Sequence, residues 1–521
     1  MSDQHSTGPY VDRNWNMLKI HTMLAFVSAL SFLPLVFLDH WKFALIVPVA
    51  ILGAFEVYCR AQRTHAIYRL YGQAATTREL SEWSSEKFRD YFADPESRRP
   101  TSRYAQWWIQ NITHGKKAMG GHGSRADRDK AGSVLVRTKN LRTNSEPAIL
   151  ASMRNVRIGS QGDQPFLVTG AFRQSGMATP SITREATEAM ARGTAGLCLM
   201  GTGEGGLWPQ HLVGGPDAQI EFQVGTGYFG CRDRDGGFDM ATLCNVILSN
   251  PSVVAVQVKL SQGAKQDGGK APGWKIDADV AERRGIEPWK DCFSPPTHSA
   301  FAGVTGLVGF ISRIRQKTSR VVGVKLAVGS FLEFDEMCRT WATYPHGIPD
   351  YLQIDGGEGG TGAAYEEMMK CGGMPASVAI QVADLLLRKH GLRERVVLVG
   401  SAGGYTPEDL VRMYALGADI VATGRAFKYA TGCIAAGKCH IAGECPTGIA
   451  SNGDVIDPVE RGKWIRAYVE AMYDRTAHLL SLTGISDYRE IVGTRRKHVE
   501  IVGVPIWTID QVEAIIALER A

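Results

Sequence analysis

The sequence predicts an α/β protein, a (β/α)8 TIM barrel preceded by a two-helix transmembrane hairpin. Three observations carry this. Short β-branched apolar runs alternate with helical patterns beyond Pro165; glycines gather at the exits of several of those runs; and two apolar stretches that together carry a single charge, Glu56, stand near the front. At 521 residues the chain exceeds one ordinary domain, but a barrel with additions uses most of it. The expected division is residues 1–62 for the hairpin, 63–150 for a helical and looped connector, and 151–521 for the barrel, a cysteine-bearing segment and C-terminal helices.

Met23–Leu38 carries no charge and Phe43–Val57 carries only Glu56, with Asp39-His40-Trp41-Lys42 between them. Each run is at the short edge of a bilayer span, and Trp41, Tyr58 and a snorkelling Lys19 can extend it. A buried helical hairpin is the alternative. A signal peptide fits poorly, because Ala-x-Ala is missing and a second apolar run follows at once. Arg13 and Lys19 precede the hairpin, and Arg60, Arg63 and Arg69 follow it. The positive-inside rule therefore expects both ends, and the catalytic body, in the cytoplasm. From Thr64 to about Ser145 the chain is polar, rich in Arg and aromatics, and offers no chemistry.

The candidate strands are Phe166–Thr169, Gly196–Met200, Val254–Leu260, Val321–Leu326, Tyr351–Ile354, Val396–Val399 and Ile420–Thr423. Helical patterns occupy Thr183–Arg192, Ala300–Gln316, Leu332–Tyr344, Ala376–His390 and Pro407–Leu416. A doubly wound sheet is the rival fold. No GxGxxG follows the first strand, however, and the glycines recur at several strand ends, which in a barrel converge on one face.

Composition narrows the function. A net charge of +5 without a Lys/Arg block gives no footprint for nucleic acid. Seven of the ten cysteines are scattered singly (Cys59, Cys198, Cys231, Cys244, Cys292, Cys338 and Cys371) and read as free thiols in a reducing compartment.

The segments that carry chemistry lie at predicted strand ends. Gly400-Ser401-Ala402-Gly403-Gly404 follows one late strand, and Gly424-Arg425 ends the next. Adjacent exits of this kind commonly form a phosphate site, here favouring flavin mononucleotide (FMN) over ordinary tight turns. Lys259 and Lys325 each sit near the end of an apolar strand, where an ammonium needs an anionic partner. At a barrel mouth that partner can be the flavin edge that gains negative charge on reduction. The stretch Gln353–Ala364, which includes Gly359 and Gly360, and the shorter Gly201–Gly206 are too glycine-dense for turns alone. Cys433, Cys439 and Cys445, with five residues in each gap, suit a 3Fe–4S iron–sulfur cluster. Zinc with His440 as fourth ligand, or a redox-active cysteine pair, are the other readings.

Together these residues resemble the FMN-binding synthase domain of glutamate synthase, in its stand-alone form without the amidotransferase domain. The likeness runs from about Ser175 to Val504. It rests on Ser175-Gly176-Met177 with Thr183–Ala186, Thr202-Gly203-Glu204-Gly205-Gly206, Lys259-Leu260-Ser261-Gln262-Gly263-Ala264-Lys265, Ser294–His298, Gly359–Ala363 and Cys445–Ala450. The resemblance implies reduction of 2-iminoglutarate, made from 2-oxoglutarate and ammonia, to L-glutamate. It places Lys259, Gln262, Lys265 and Arg284 near flavin or substrate carboxylates, Glu204 near the ring or amine path, and Ser175, Gly176 and Met177 on FMN. It makes Lys325 the stabiliser of reduced flavin, and the cluster a relay from an external electron donor.

The chain departs from the family pattern at three places. The family commonly spaces its last two cysteines one residue closer. Ala178-Thr179-Pro180 replaces Ser-Phe-Gly, and the stretch after Lys265 is shorter. No glutaminase-sized domain is evident, so ammonia is expected from solution, a partner or another amine. Another substrate such as N-methylglutamate, oxidation with electrons passed to a membrane acceptor, and a non-catalytic scaffold are the competing functions.

Overall fold

The computed structural model describes residues 103–115, 128–159, 165–179, 181–263, 269–359, 366–435, 439 and 441–521, with scattered positions from 50 to 74. It divides into two compact units: Arg99–Cys433 with Pro458–Ala521, and Met1–Arg98 with Ile434–Asp457. The apolar runs of the expected hairpin lie almost wholly outside the described residues. Among the described residues no helix is long and apolar enough to cross a membrane.

The first unit contains a closed eight-stranded parallel barrel. Its strands are β1 (Phe172–Gln174), β2 (Met200–Gly201), β3 (Ile220–Val224), β4 (Val253–Lys259), β5 (Val321–Ala327), β6 (Tyr351–Asp355), β7 (Val397–Ser401) and β8 (Ile420–Thr423), in sequential order. Connecting helices begin on side chains that satisfy otherwise orphaned backbone N–H groups. Thr183 caps Arg184–Thr194, Asp239 caps Met240–Leu248 and Ser330 caps Phe331–Thr343. Thr406 and Asp409 form a reciprocal box at the start of Pro407–Leu416. A 24-residue helix, Pro458–Ser481, packs on Arg184–Thr194, where a Cβ at Gly193 would stand 2.5 Å from Ile465. Its Tyr473 hydroxyl donates to the Phe172 carbonyl at 3.1 Å, tying the helix to β1.

The first three barrel strands differ from the sequence reading. Leu167–Thr169 is not a barrel strand; it pairs antiparallel with Val156–Ile158. Phe166 and Val168 are exposed there, so the run is one-sided, whereas barrel strands are covered on both faces. The true first strand, Phe-Arg-Gln, and the third, Ile-Glu-Phe-Gln-Val, escaped because polar residues interrupt them. All eight of those residues are buried.

One loop adds an acid-labile feature. His211 is fully buried, and its Nδ1 accepts from the Trp208 amide at 3.0 Å. Burial pushes its pKa down to about 4. An unfolded chain takes up this proton below about pH 6.5, so the unfolded state binds more protons than the native one between that pH and about 4. Stability therefore falls as pH drops through this window, by roughly 3 kcal/mol from this group. Urea midpoints from pH 7.5 to 4.5 should show that fall, flattened in His211→Gln; equal pH slopes would refute it.

Candidate active site

The polar residues that break the strand pattern fill the barrel interior. Arg173 on β1 and Glu221 on β3 form a fully buried ion pair, and the Tyr351 hydroxyl on β6 donates to Glu221. Burial opposes the Arg173 charge, but Glu221 beside it outweighs that and holds the guanidinium above its ordinary pKa. Gly323 makes room for this arrangement: a Cβ there would stand 2.2 Å from the Tyr351 ring. Gln257 then donates to Glu221 and to Gln353, both at 3.1 Å. Gln353 in turn donates to Ser175 Oγ at 3.2 Å and to Asp355 Oδ1 at 3.1 Å.

Two lysines stand at the C-terminal ends of adjacent strands, paired in register. Lys325 is 5% exposed, with its ammonium 3.0 Å from Asp355 Oδ2. Lys259 is 7% exposed and forms an ion pair with Glu204, and its Nζ lies 2.6 Å from Gln262 Oε1. Glu204 also accepts from Ser294 Oγ at 3.5 Å. Behind Lys259, His298 sits between the Lys259 carbonyl (2.9 Å) and the Tyr228 hydroxyl (3.2 Å). Burial is the main cause that holds its pKa below the ordinary imidazole range.

The structure thus brings Glu204, Lys259 and Gln262 into one cluster and leads from Lys325 through Asp355 and Gln353 to Ser175. Gly176 packs against the backbone of Gly203, where a Cβ would approach to 3.0 Å. A Cβ at Gly203 itself would stand 2.4 Å from the Ala178 amide, so loop packing accounts for part of the glycine density. Gly404 packs on Val421 and Gly403 takes a left-handed φ of 60°. Gly424 precedes the short helix Arg425–Ala430 beside Met177, and Arg425 Nη1 reaches Tyr405 Oη at 3.1 Å. Gly359 is exposed; Gly360 and Lys265 lie outside the described residues. Arg284 is buried over the Phe229 ring and donates to the Thr179 carbonyl at 3.4 Å. Asp355, Gln353 and Gln257 were missed by the sequence reading; their alternation on β4 and β6 was the available signal.

The expected thiolate cluster is not shown among the described residues. Cys433 belongs to the barrel unit, whereas Cys439 and Cys445 belong to the unit containing Ile434–Asp457. Among the described residues no group of three His, Cys, Asp or Glu could hold a metal ion. The buried Cys445 sulfur instead accepts from the Ala450 amide at 3.4 Å; that amide, with Thr447 and Ser451, outweighs burial and lowers its pKa. Among the described residues no two cysteines form a disulfide.

A family model described as the conserved region in glutamate synthase matches residues 126–486. The chain belongs to the glutamate synthase family. Among relatives, the glutamate synthase large subunit-like protein YerD of Bacillus subtilis is 29% identical over 485 residues, 84% of this chain and 91% of that one. The archaeal glutamate synthase [NADPH] of Methanocaldococcus jannaschii is 30% identical over 320 residues, 59% of each chain. The archaeal-type glutamate synthase [NADPH] of Thermotoga maritima is 33% identical over 280 residues. The match spans 51% of that protein, so this chain corresponds to little more than half of either archaeal-type synthase. A solved flavocytochrome b2 double mutant with pyruvate bound shares 12% identity at a TM-score of 0.42, covering 78% of this chain and 85% of that one.

The donor set of this glutamate synthase family barrel fits FMN. Lys325 supplies a buried cation at the mouth, and Gln174 Nε2, at the end of β1, is a buried donor without a partner among the described residues. Glycine backbone borders the exits of β7 and β8, on neighbouring strands. An iron–sulfur cluster is not supported by the same criterion.

Proposed function

We propose that this protein is an FMN-dependent oxidoreductase that reduces 2-iminoglutarate, from 2-oxoglutarate and ammonia, to L-glutamate. The observation that carries this reading is the pair of buried lysines at adjacent strand ends, each held by its own carboxylate. When bound, FMN supplies the hydride equivalent that the imine carbon receives. The residues of the chain do the rest. Lys259, with Gln262 and Lys265, binds a substrate carboxylate; Glu204 turns Lys259 toward the mouth and keeps a proton on the imine nitrogen, so that the carbon is electrophilic. Lys325 offers positive charge where negative charge accumulates in the cofactor. Ser175, Gly176, Met177, Gly359, Gly360, Gly403, Gly404, Gly424 and Arg425 are the proposed FMN contacts. No step runs through the cysteines. Electrons come from an external donor or leave to an acceptor, and the two apolar N-terminal runs support a membrane attachment that sets the reaction at the cytoplasmic face.

The test uses the full chain. It should purify yellow with an FMN spectrum and, given a chemical reductant, form glutamate from 2-oxoglutarate and ammonium. Glu204→Gln should lower that rate by about 10²–10⁴-fold, the range for a lost proton-transfer group. A yellow enzyme without turnover on this pair rules out glutamate as product, and a colourless one rules out the flavin.

A further inference from the structure

The barrel interior holds two ion pairs joined by amides. Arg173 and Glu221 lie at one end, Lys325 and Asp355 at the other, and Gln257 and Gln353 connect them. The two oxygens of Asp355 have different partners. Oδ1 accepts from Gln353 Nε2 at 3.1 Å, and Oδ2 lies 3.0 Å from the Lys325 ammonium. Gln353 is fully buried, and Asp355 two residues on is 9% exposed. Their bond therefore sits where water screens it little.

We infer that Asp355 and Gln353 are positioning residues that set how much positive charge Lys325 presents at the mouth, and thereby the reduction potential of the bound flavin. The inference rests on the FMN reading above. An ammonium beside a carboxylate in a poorly screened interior is largely compensated, so the field it projects depends on how that carboxylate is shared. The Gln353 amide takes part of the Asp355 charge and fixes which oxygen faces Lys325. Without the amide, the carboxylate bears more fully on Lys325 and the mouth becomes less positive. Without the carboxylate's charge, Lys325 is uncompensated and the mouth becomes more positive. Two substitutions on one strand, two residues apart, therefore act in opposite directions. General loosening of the site has no reason to do so.

The experiment is a spectroelectrochemical titration of FMN bound to the full chain and to two variants. Asp355→Asn should favour the reduced flavin about tenfold, a shift of about +30 mV for a two-electron couple. Gln353→Met should shift the potential to the negative side by a smaller amount. Thermal melts of the same samples establish folding, and Gln353→Asn, whose shorter amide does not span to Asp355, takes the place of Gln353→Met if that variant does not fold. Shifts of the same sign, or no shift in Asp355→Asn, overturn the inference while leaving the flavin assignment intact. A wild-type chain that binds no FMN overturns the reading beneath it and this inference together.

Discussion

Replacing Glu221 by glutamine should lower the stability of the barrel by about 3–5 kcal/mol, the cost of stranding one member of a buried ion pair. Arg173 is 0% exposed, and its Nε and Nη1 have no partner among the described residues. Glu221 is its ion-pair partner and also accepts from Tyr351 and Gln257. A neutral amide in that position cannot balance the guanidinium, and its own N–H groups would face the donors that Glu221 now satisfies. Urea unfolding, followed by far-ultraviolet circular dichroism at constant slope, checks the loss. The double replacement Arg173→Met with Glu221→Leu should recover most of it, because removing both charges leaves neither one buried and alone. A single variant within 1 kcal/mol of the parent would mean that the pair does not hold this barrel together.

The same pair explains where the sequence was legible. Strands β4 to β8 are mainly β-branched or apolar runs whose charged residues, Lys259, Lys325 and Asp355, stand at or near the C-terminal end, and each was found within a residue or two. The barrel class followed from their number and their glycine-bearing exits. Strand β1 has Arg173 and Gln174 in its three residues, and β3 has Glu221 and Gln223 in its five. A hydrophobic pattern cannot register a strand whose inward face is a charged network, so both were missed, and the two-residue β2 was misplaced by the turn before it. The lysines were found for the complementary reason: a single cation in an apolar strand stands out. Their pairing with carboxylates did not: Glu204 was named only through the family resemblance and not as the partner of Lys259, and Asp355 lies in a glycine-rich stretch read as a ligand loop. The partner of each charge comes from another strand end, and that is set by barrel closure.

Replacing Lys325 by methionine should lower turnover by about 10²–10³-fold, the range seen when one preorganised stabiliser of developing negative charge is removed. The side chain lengths are similar, so packing changes little, but Asp355 is left buried beside an apolar thioether. Part of any stability loss therefore belongs to the stranded carboxylate. The double variant Lys325→Met with Asp355→Asn separates the two effects. It should regain most of the melting temperature while turnover stays low, since neither methionine nor an amide carries the positive charge the reduced cofactor needs. Lys325→Arg, which keeps the charge on a longer and planar group, should fall between parent and methionine variant. The flavin spectrum is the further readout, because a variant that retains FMN but turns over slowly has lost charge stabilisation and not binding. If turnover returned with stability in the double variant, the role of Lys325 would be confined to pairing Asp355, and the positive charge at the mouth would have to come from Lys259. The register bond between β4 and β5 sets those two ammonium groups on neighbouring strands, so the reciprocal measurement on Lys259→Met tells which of them serves the cofactor and which the substrate.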